Sequence, residues 1–200
     1  MGTARLEAFS DGVMAVIITI MVLEIKVPHG TDLDAITPVV PVFLGYVLSF
    51  VYVGIYWNNH HHLLRAAKEV DGKIMWANLA LLFFMSLIPV TTLWLGENPR
   101  ASLPTAFYGA VLLLAASAYY VLQSAIIAHD GSDAELARAV GRDLKGKLSP
   151  VAYALGIGFS WIEHWVSIAL YVGVAAAWLI PDRRIEKVVT EPASTERPAE

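Results

Sequence analysis

Three groups of residues have types and spacings that could do chemistry. Arg5, Phe9, Ser10, Asp11 and Gly12 open a largely apolar segment that ends near Val27 and carries Thr19 midway. A carboxylate in such a segment is costly in hydrocarbon and normally faces a protein interior or a water path. The run Trp57-Asn58-Asn59-His60-His61-His62 offers imidazoles for metal binding or proton transfer. Successive helical positions point about 100° apart, so three consecutive histidines cannot converge on one ion, and the partners at helical spacing are Asn58 and Arg65. The run therefore does not read as a transition-metal site, and neither a structural metal nor an organic cofactor is expected. Glu163-His164 could form an acid/base pair, but reads better as an outer-loop interface feature. No HExxH, GxSxG or Gly-rich phosphate loop occurs, so the chain does not read as an enzyme.

The elements that must position these groups are membrane spans. Hydrophobic residues make up 56% of the 200 and charged residues 16%, against about 25% in ordinary soluble domains. No basic stripe suited to nucleic acid is present, and the absence of cysteine rules out disulfides, thiolate metal sites and cysteine nucleophiles. Six apolar stretches approach the roughly 20 residues needed to cross a bilayer: 8–27, 36–64, 74–95, 104–128, 148–159 and 165–180. The last two read as short helices joined around Ser160 to His164, because Gly156, Gly158 and Glu163-His164 interrupt the apolar run. The first span follows Arg5 and Glu7 without a convincing cleavage signal and is expected to be retained. Of the 14 Lys and Arg, only Lys26 and Arg100 fall outside when the N-terminus is cytoplasmic, so both termini are expected in the cytosol. Ser132-Asp133-Ala134-Glu135 reads as the start of a short amphipathic connector. The predicted organisation is a six-span domain over 1–181 and a cytoplasmic, disordered tail over 182–200, rich in Pro, Glu, Ser and Thr.

Depth gathers the polar groups. Asp11 lies just inside the cytoplasmic end of helix 1, the Trp57 to His62 run ends helix 2, and Trp76 and Asn78 lie one turn into helix 3. At 1.5 Å per residue these groups fall within about 10 Å of each other in height. Asn58 and His62, like Trp57 and His61, share a helix face. This predicts an interhelical network in which Arg5 and Asp11 supply opposite charges and Asn and His side chains supply hydrogen bonds. His60 and His62 read equally well as interfacial residues beside an aromatic belt of Trp57, Trp76, Trp94, Trp161 and Trp178. Along helix 1, Val16, Thr19, Ile20 and Leu23 follow i, i+3, i+4, i+7, with Asp11 and Gly12 continuing below them. That stripe suits helix packing, with Thr19 bonded to its own i−4 carbonyl, or the lining of a narrow ion path; periodicity alone favours packing.

The string Arg5-x-x-x-Phe9-Ser10-Asp11-Gly12, followed by Val22-Leu23-Glu24-Ile25-Lys26-Val27-Pro28, resembles the signature of prokaryotic relatives of the lysosomal potassium channel called transmembrane protein 175. The resemblance covers about 4–181 and is strongest in helix 1 and from Tyr56-Trp57 to His62. It implies an all-α integral membrane protein of six spans per subunit, with helix 1 lining a central pore. Family members with two copies of the unit form dimers, so one copy implies a homotetramer. The implied function is a potassium-permeable cation channel of a prokaryotic inner membrane, without a TVGYG filter, selecting and gating through apolar rings on helix 1. Other monovalent cations would pass more weakly. By resemblance the constriction falls on Val16, smaller than the family's usual Ile or Leu, with further rings at Ile20 or Leu23 and transient K⁺ near the hydroxyl ring of Thr19. Arg5, Phe9, Ser10, Asp11 and Gly12 would join the network with Trp57, Asn58, His61 and Asn78. The alternatives are a secondary transporter or proton-coupled carrier using Asp11 and His61, and a membrane structural protein without transport activity.

Overall fold

The computed structural model describes residues 2–131 and 144–179, which form seven α-helices. They are α1 (Thr3–Leu23), α2 (Val40–Ala66), α3 (Gly72–Ser86), α4 (Ile88–Glu97), α5 (Ser102–Asp130), α6 (Leu144–Phe159) and α7 (His164–Leu179). Counting α3 and α4 as one broken span gives six. Four stretches, namely α1, α2, α3 with α4, and α5, are long and apolar enough to cross a membrane. The described parts of α6 and α7, 16 residues each, rise about 24 Å, against a hydrocarbon core of about 30 Å. The connector beginning at Ser132, the boundary at 181 and the tail lie outside the described residues.

Helix ends depart from the hydropathy limits for local reasons. Helix α1 stops at Leu23, short of Val27, and Pro28 disfavours helical backbone for the residue before it. A single 3₁₀ turn, Leu33–Ala35, occupies the stretch before α2, which starts at Val40 with Pro41 in its first turn. The third span breaks at Leu87 because Pro89 has no N–H to donate to the Met85 carbonyl one turn back. Asp71 sets the start of α3 by accepting a hydrogen bond from the Ile74 N–H at 2.8 Å.

Helix α1 packs against α2, α3 and α4, while α5 backs the bundle by touching α3, α4, α6 and α7. One apolar core joins Met14 and Ile17 of α1 to Val53, Leu64, Leu81, Met85 and Leu122. A second, built around Tyr52, Tyr108, Leu112, Tyr153 and Tyr171, joins α2 and α5 to the final pair. In lipid such contacts rest on close packing and interhelical hydrogen bonds, since tails are as apolar as leucine. Ser49 accordingly meets Thr92 at 2.6 Å and the Tyr108 hydroxyl at 2.9 Å, and Tyr52 donates to the Tyr171 carbonyl at 2.6 Å. Gly96 lets α4 approach α2: a Cβ there would lie 2.6 Å from the Val42 Cα. Beyond the end of α1, Lys26 pairs with Glu97 at 2.6 Å. The hydrogen bond from Glu97, then its charge, holds the Lys26 ammonium above its ordinary pKa, although so exposed a pair adds little stability.

Candidate functional site

Two faces of α1 have opposite surroundings. Leu6, Ser10, Met14, Ile17 and Met21 recur every three or four residues and are buried against the bundle. Arg5, Gly12, Val16, Thr19 and Leu23 lie on the other side and are exposed. Val16 is 54% exposed, Ile20 42% and Leu23 81%. Gly12 has nothing within 4 Å of where a Cβ would stand. Phe9, Gly12, Val16 and Ile20 form one wall of an open apolar groove with Ser86, Pro89, Val90 and Leu93. No element of the described subunit covers it.

The buried face carries a directed hydrogen-bond chain. Ser10 Oγ donates to the Leu6 carbonyl at 2.8 Å, so it accepts from Asn78 Nδ2 at 2.9 Å. That fixes Asn78 Oδ1 toward His60 Nε2, 2.7 Å away, and makes Nε2 the protonated nitrogen of the ring. All three side chains are fully buried, and His60 Nδ1 has no hydrogen-bond partner among the described residues. Chains of this kind polarise along their length and fix a unique arrangement. This one ties α1, α2 and α3 together at one depth.

A second, half-exposed set lies beside it. Trp57 Nε1 donates to Asp11 Oδ1 at 3.0 Å, and His61 Nδ1 meets Glu7 Oε1. Trp57 and His61 stack with ring centroids 6.4 Å apart. Both carboxylates of α1 are therefore held by the helix 2 run.

Several residues stand elsewhere than the spacing suggested. Arg5 is exposed and forms no ion pair with Asp11 or with any other described residue. Asn58 is exposed and joins no hydrogen bond among the described residues, because it points about 160° away from His60 on α2. Asp11 does not continue the Val16 stripe; five residues apart on a helix is about 140°, and Asp11 turns to Trp57 while Gly12 stays on the open face. Trp76 is exposed, whereas Asn78 two positions on is buried. His60 is not interfacial but buried, and Glu7 joins the site through His61 although no motif spacing marks it. A signal for His60 existed: Val53, Tyr56, His60, Leu63 and Leu64 follow one apolar helix face on which His60 is the polar member. Glu7 precedes Asp11 by one turn and shares its side of α1.

Residues 5–89 match the family described as the endosomal/lysosomal potassium channel TMEM175. A protein of a Chryseobacterium species, named a potassium channel, is 50% identical over 191 residues, which cover 96% of this chain and all of the relative. The chain belongs to the TMEM175 family. A Streptomyces collinus protein, also named a potassium channel, is 32% identical over 84% of this chain and 87% of its own length. The crystal structure of a Chamaesiphon minutus homologue of the lysosomal potassium-selective channel TMEM175 superposes with a TM-score of 0.77. It is 27% identical and is covered over 97% of its length by 91% of this chain. TMEM175 membership makes this a multi-pass membrane protein of a channel family, which is not an enzyme class. The family match spans both the α1 motif and the helix 2 run with which it bonds.

Proposed function

We propose that the chain is one subunit of a homotetrameric, potassium-permeable cation channel of a prokaryotic inner membrane, with both termini cytoplasmic. The observation that carries this reading is the open α1 stripe of Arg5, Gly12, Val16, Thr19, Ile20 and Leu23, polar at intervals and uncovered within the subunit. A face that mixes arginine, glycine and threonine with valine and leucine is a poor lipid surface, and four copies around an axis would bury it in a pore. The names of the Chryseobacterium and Streptomyces collinus relatives support potassium as the permeant ion.

In this mechanism Val16, Ile20 and Leu23 form rings that resist wetting, so an ion sheds water to pass. Thr19 Oγ1 donates its proton back to the Ala15 carbonyl at 2.9 Å, shared with that of Val16 at 3.1 Å. Its lone pairs are then free to face a cation between the apolar rings, where K⁺ would pause. Selection comes from dehydration at these rings and not from a cage of TVGYG carbonyls, a string the chain lacks. Ser10, Asn78 and His60 hold the buried side of α1, and Asp11 with Trp57 and Glu7 with His61 hold its flank.

The test is recording from purified protein in planar bilayers with K⁺ and Na⁺ on opposite sides. Discrete ohmic steps reversing toward the potassium equilibrium potential are expected, from a species that native mass spectrometry weighs as four chains. Slow saturable flux without steps would instead identify a carrier and overturn the proposal, as would silence from intact tetramers.

A further inference from the structure

On the side of α2 away from α1, a cavity of about 370 Å³ opens between α2, α5, α6 and α7. This lies within the range of about 300–1,000 Å³ of small-molecule sites. It extends from Tyr52 to Asn59 along α2 and from Ala116 to Gln123 along α5, about 10 Å on each helix. Its wall is largely tyrosine ring and alkyl surface, with Tyr52, Ala116 and Tyr153 toward one end. Asn59, Gln123 and Lys147 cluster toward the other, where α2 and α5 finish and α6 begins.

Most polar groups around this cavity are satisfied within the protein. The Tyr52 hydroxyl donates to the Tyr171 carbonyl, Trp178 Nε1 to Ser149 Oγ, and Ser149 to the Lys145 carbonyl. Two are not. Gln123 is only 7% exposed, lines the cavity, and its amide makes no hydrogen bond among the described residues. The Tyr56 hydroxyl, equally enclosed, makes none either. An amide and a phenol on nearly enclosed side chains, unbonded within the described protein and facing an apolar space, are the donors of a site whose acceptor comes from outside the chain. Lys147 at the same end is exposed and forms no ion pair among the described residues, and no carboxylate among them lines the cavity. The arrangement asks for a molecule with an anion at one end, acceptor oxygens next to it and a flexible apolar body.

We propose that this cavity binds one anionic phospholipid per subunit. The phosphate pairs with Lys147, an ester carbonyl accepts hydrogen bonds from Gln123 Nε2 and the Tyr56 hydroxyl, and an acyl chain lies along Tyr52, Ala116 and Tyr153. Basic pockets between spans at the cytoplasmic side take such head groups, and the Lys147 end is the one the positive-inside distribution assigns to that leaflet. The occupant would brace α2 from behind, one helical turn from His60 through Tyr56.

The full chain, delipidated in a nonionic detergent, is titrated with phosphatidylglycerol or phosphatidylcholine of the same acyl chains and read by native mass spectrometry. One phosphatidylglycerol retained per subunit, in preference to phosphatidylcholine, is expected. Lys147→Ala should weaken it about fivefold, as for one lysine at an anionic surface, and Lys147→Arg should restore it. Gln123→Leu should weaken both lipids, and Ala116→Phe, which fills the cavity, should abolish retention while the protein stays monodisperse. Equal retention of both lipids, unmoved by Lys147→Ala and Ala116→Phe, would mean annular lipid and overturn the proposal. So would displacement by inorganic phosphate alone, which would make this a free-anion site. The readout needs no conductance, so its failure is separate from failure of the channel reading.

Discussion

Substituting Asn78 tests the directed chain at the foot of α1. Asn78→Leu keeps the forked heavy-atom shape but removes both the acceptor for His60 Nε2 and the donor to Ser10. Ser10 keeps its bond to the Leu6 carbonyl, so it loses least. His60 loses most, because its Nδ1 already has no partner among the described residues and the ring is fully enclosed. Interhelical hydrogen bonds in membranes average about 0.6 kcal/mol with a maximum near 1.7, because the unfolded chain also finds partners. Leaving a buried donor unmet costs about 1–3 kcal/mol. Asn78→Leu is therefore expected to destabilise by about 1–3 kcal/mol, and His60→Phe by a comparable amount. Replacing both partners with apolar groups removes the orphan, so the double variant should cost less than the sum by about 0.5–2 kcal/mol. The assay is equilibrium unfolding in mixed micelles titrated with dodecyl sulfate, run as a complete double-mutant cycle. Additivity within about 0.5 kcal/mol would refute the reasoning, for it would mean that the two side chains do not feel each other.

Three further outcomes follow from the same geometry. Val16→Asn should raise unit conductance and weaken the preference for K⁺ over Na⁺ in bilayers, since a polar ring is more readily wetted; unchanged currents would remove Val16 from the constriction. Asp11→Asn keeps the shape but weakens the charge-assisted bond from Trp57, so it should lower the tetramer fraction or the open probability while leaving unit conductance alone. Normal assembly with normal gating would sink that role. Gly96→Ala would drive a Cβ into the Val42 backbone and force α2 and α4 apart, an overpacking cost of about 1–3 kcal/mol visible as a lower thermal midpoint; a native midpoint would show that the helices separate freely.

Hydropathy alone carried the helical spans, because every backbone group in lipid must be bonded within its own helix. It blurred their ends and missed the break at Leu87, since apolarity counts Pro89 as continuous while the missing N–H stops the ladder. Depth matching set Asp11 level with Trp57 and with Asn78, because height along a helix is read directly from residue number, while Ser10 entered only through the family resemblance. It could not choose among His60, His61 and His62, which share a height and differ only in direction. Direction was legible only from the apolar face that Val53, Tyr56 and Leu63 share with His60. Arg5 stands apart within the subunit for the same reason: it lies near Asp11 in depth, but six residues on a helix place the two about 120° apart around the axis.

That angular arithmetic also explains why the α1 motif is a run of neighbours. Four consecutive helical residues cover about 300° of the circumference, so Phe9, Ser10, Asp11 and Gly12 cannot serve one site. Ser10 points into the bundle, Asp11 toward α2, and Phe9 and Gly12 toward the open groove. The motif joins a fixed face to a free one at the same height, so any shift of the buried chain turns the stripe above it. Rotating α1 by one residue's worth would exchange Val16 for Ile17, which is now 4% exposed. Substitutions at Ser10 or Asn78 should therefore reach permeation only through stability or gating, whereas substitutions at Gly12 and Val16 should reach it without disturbing the fold.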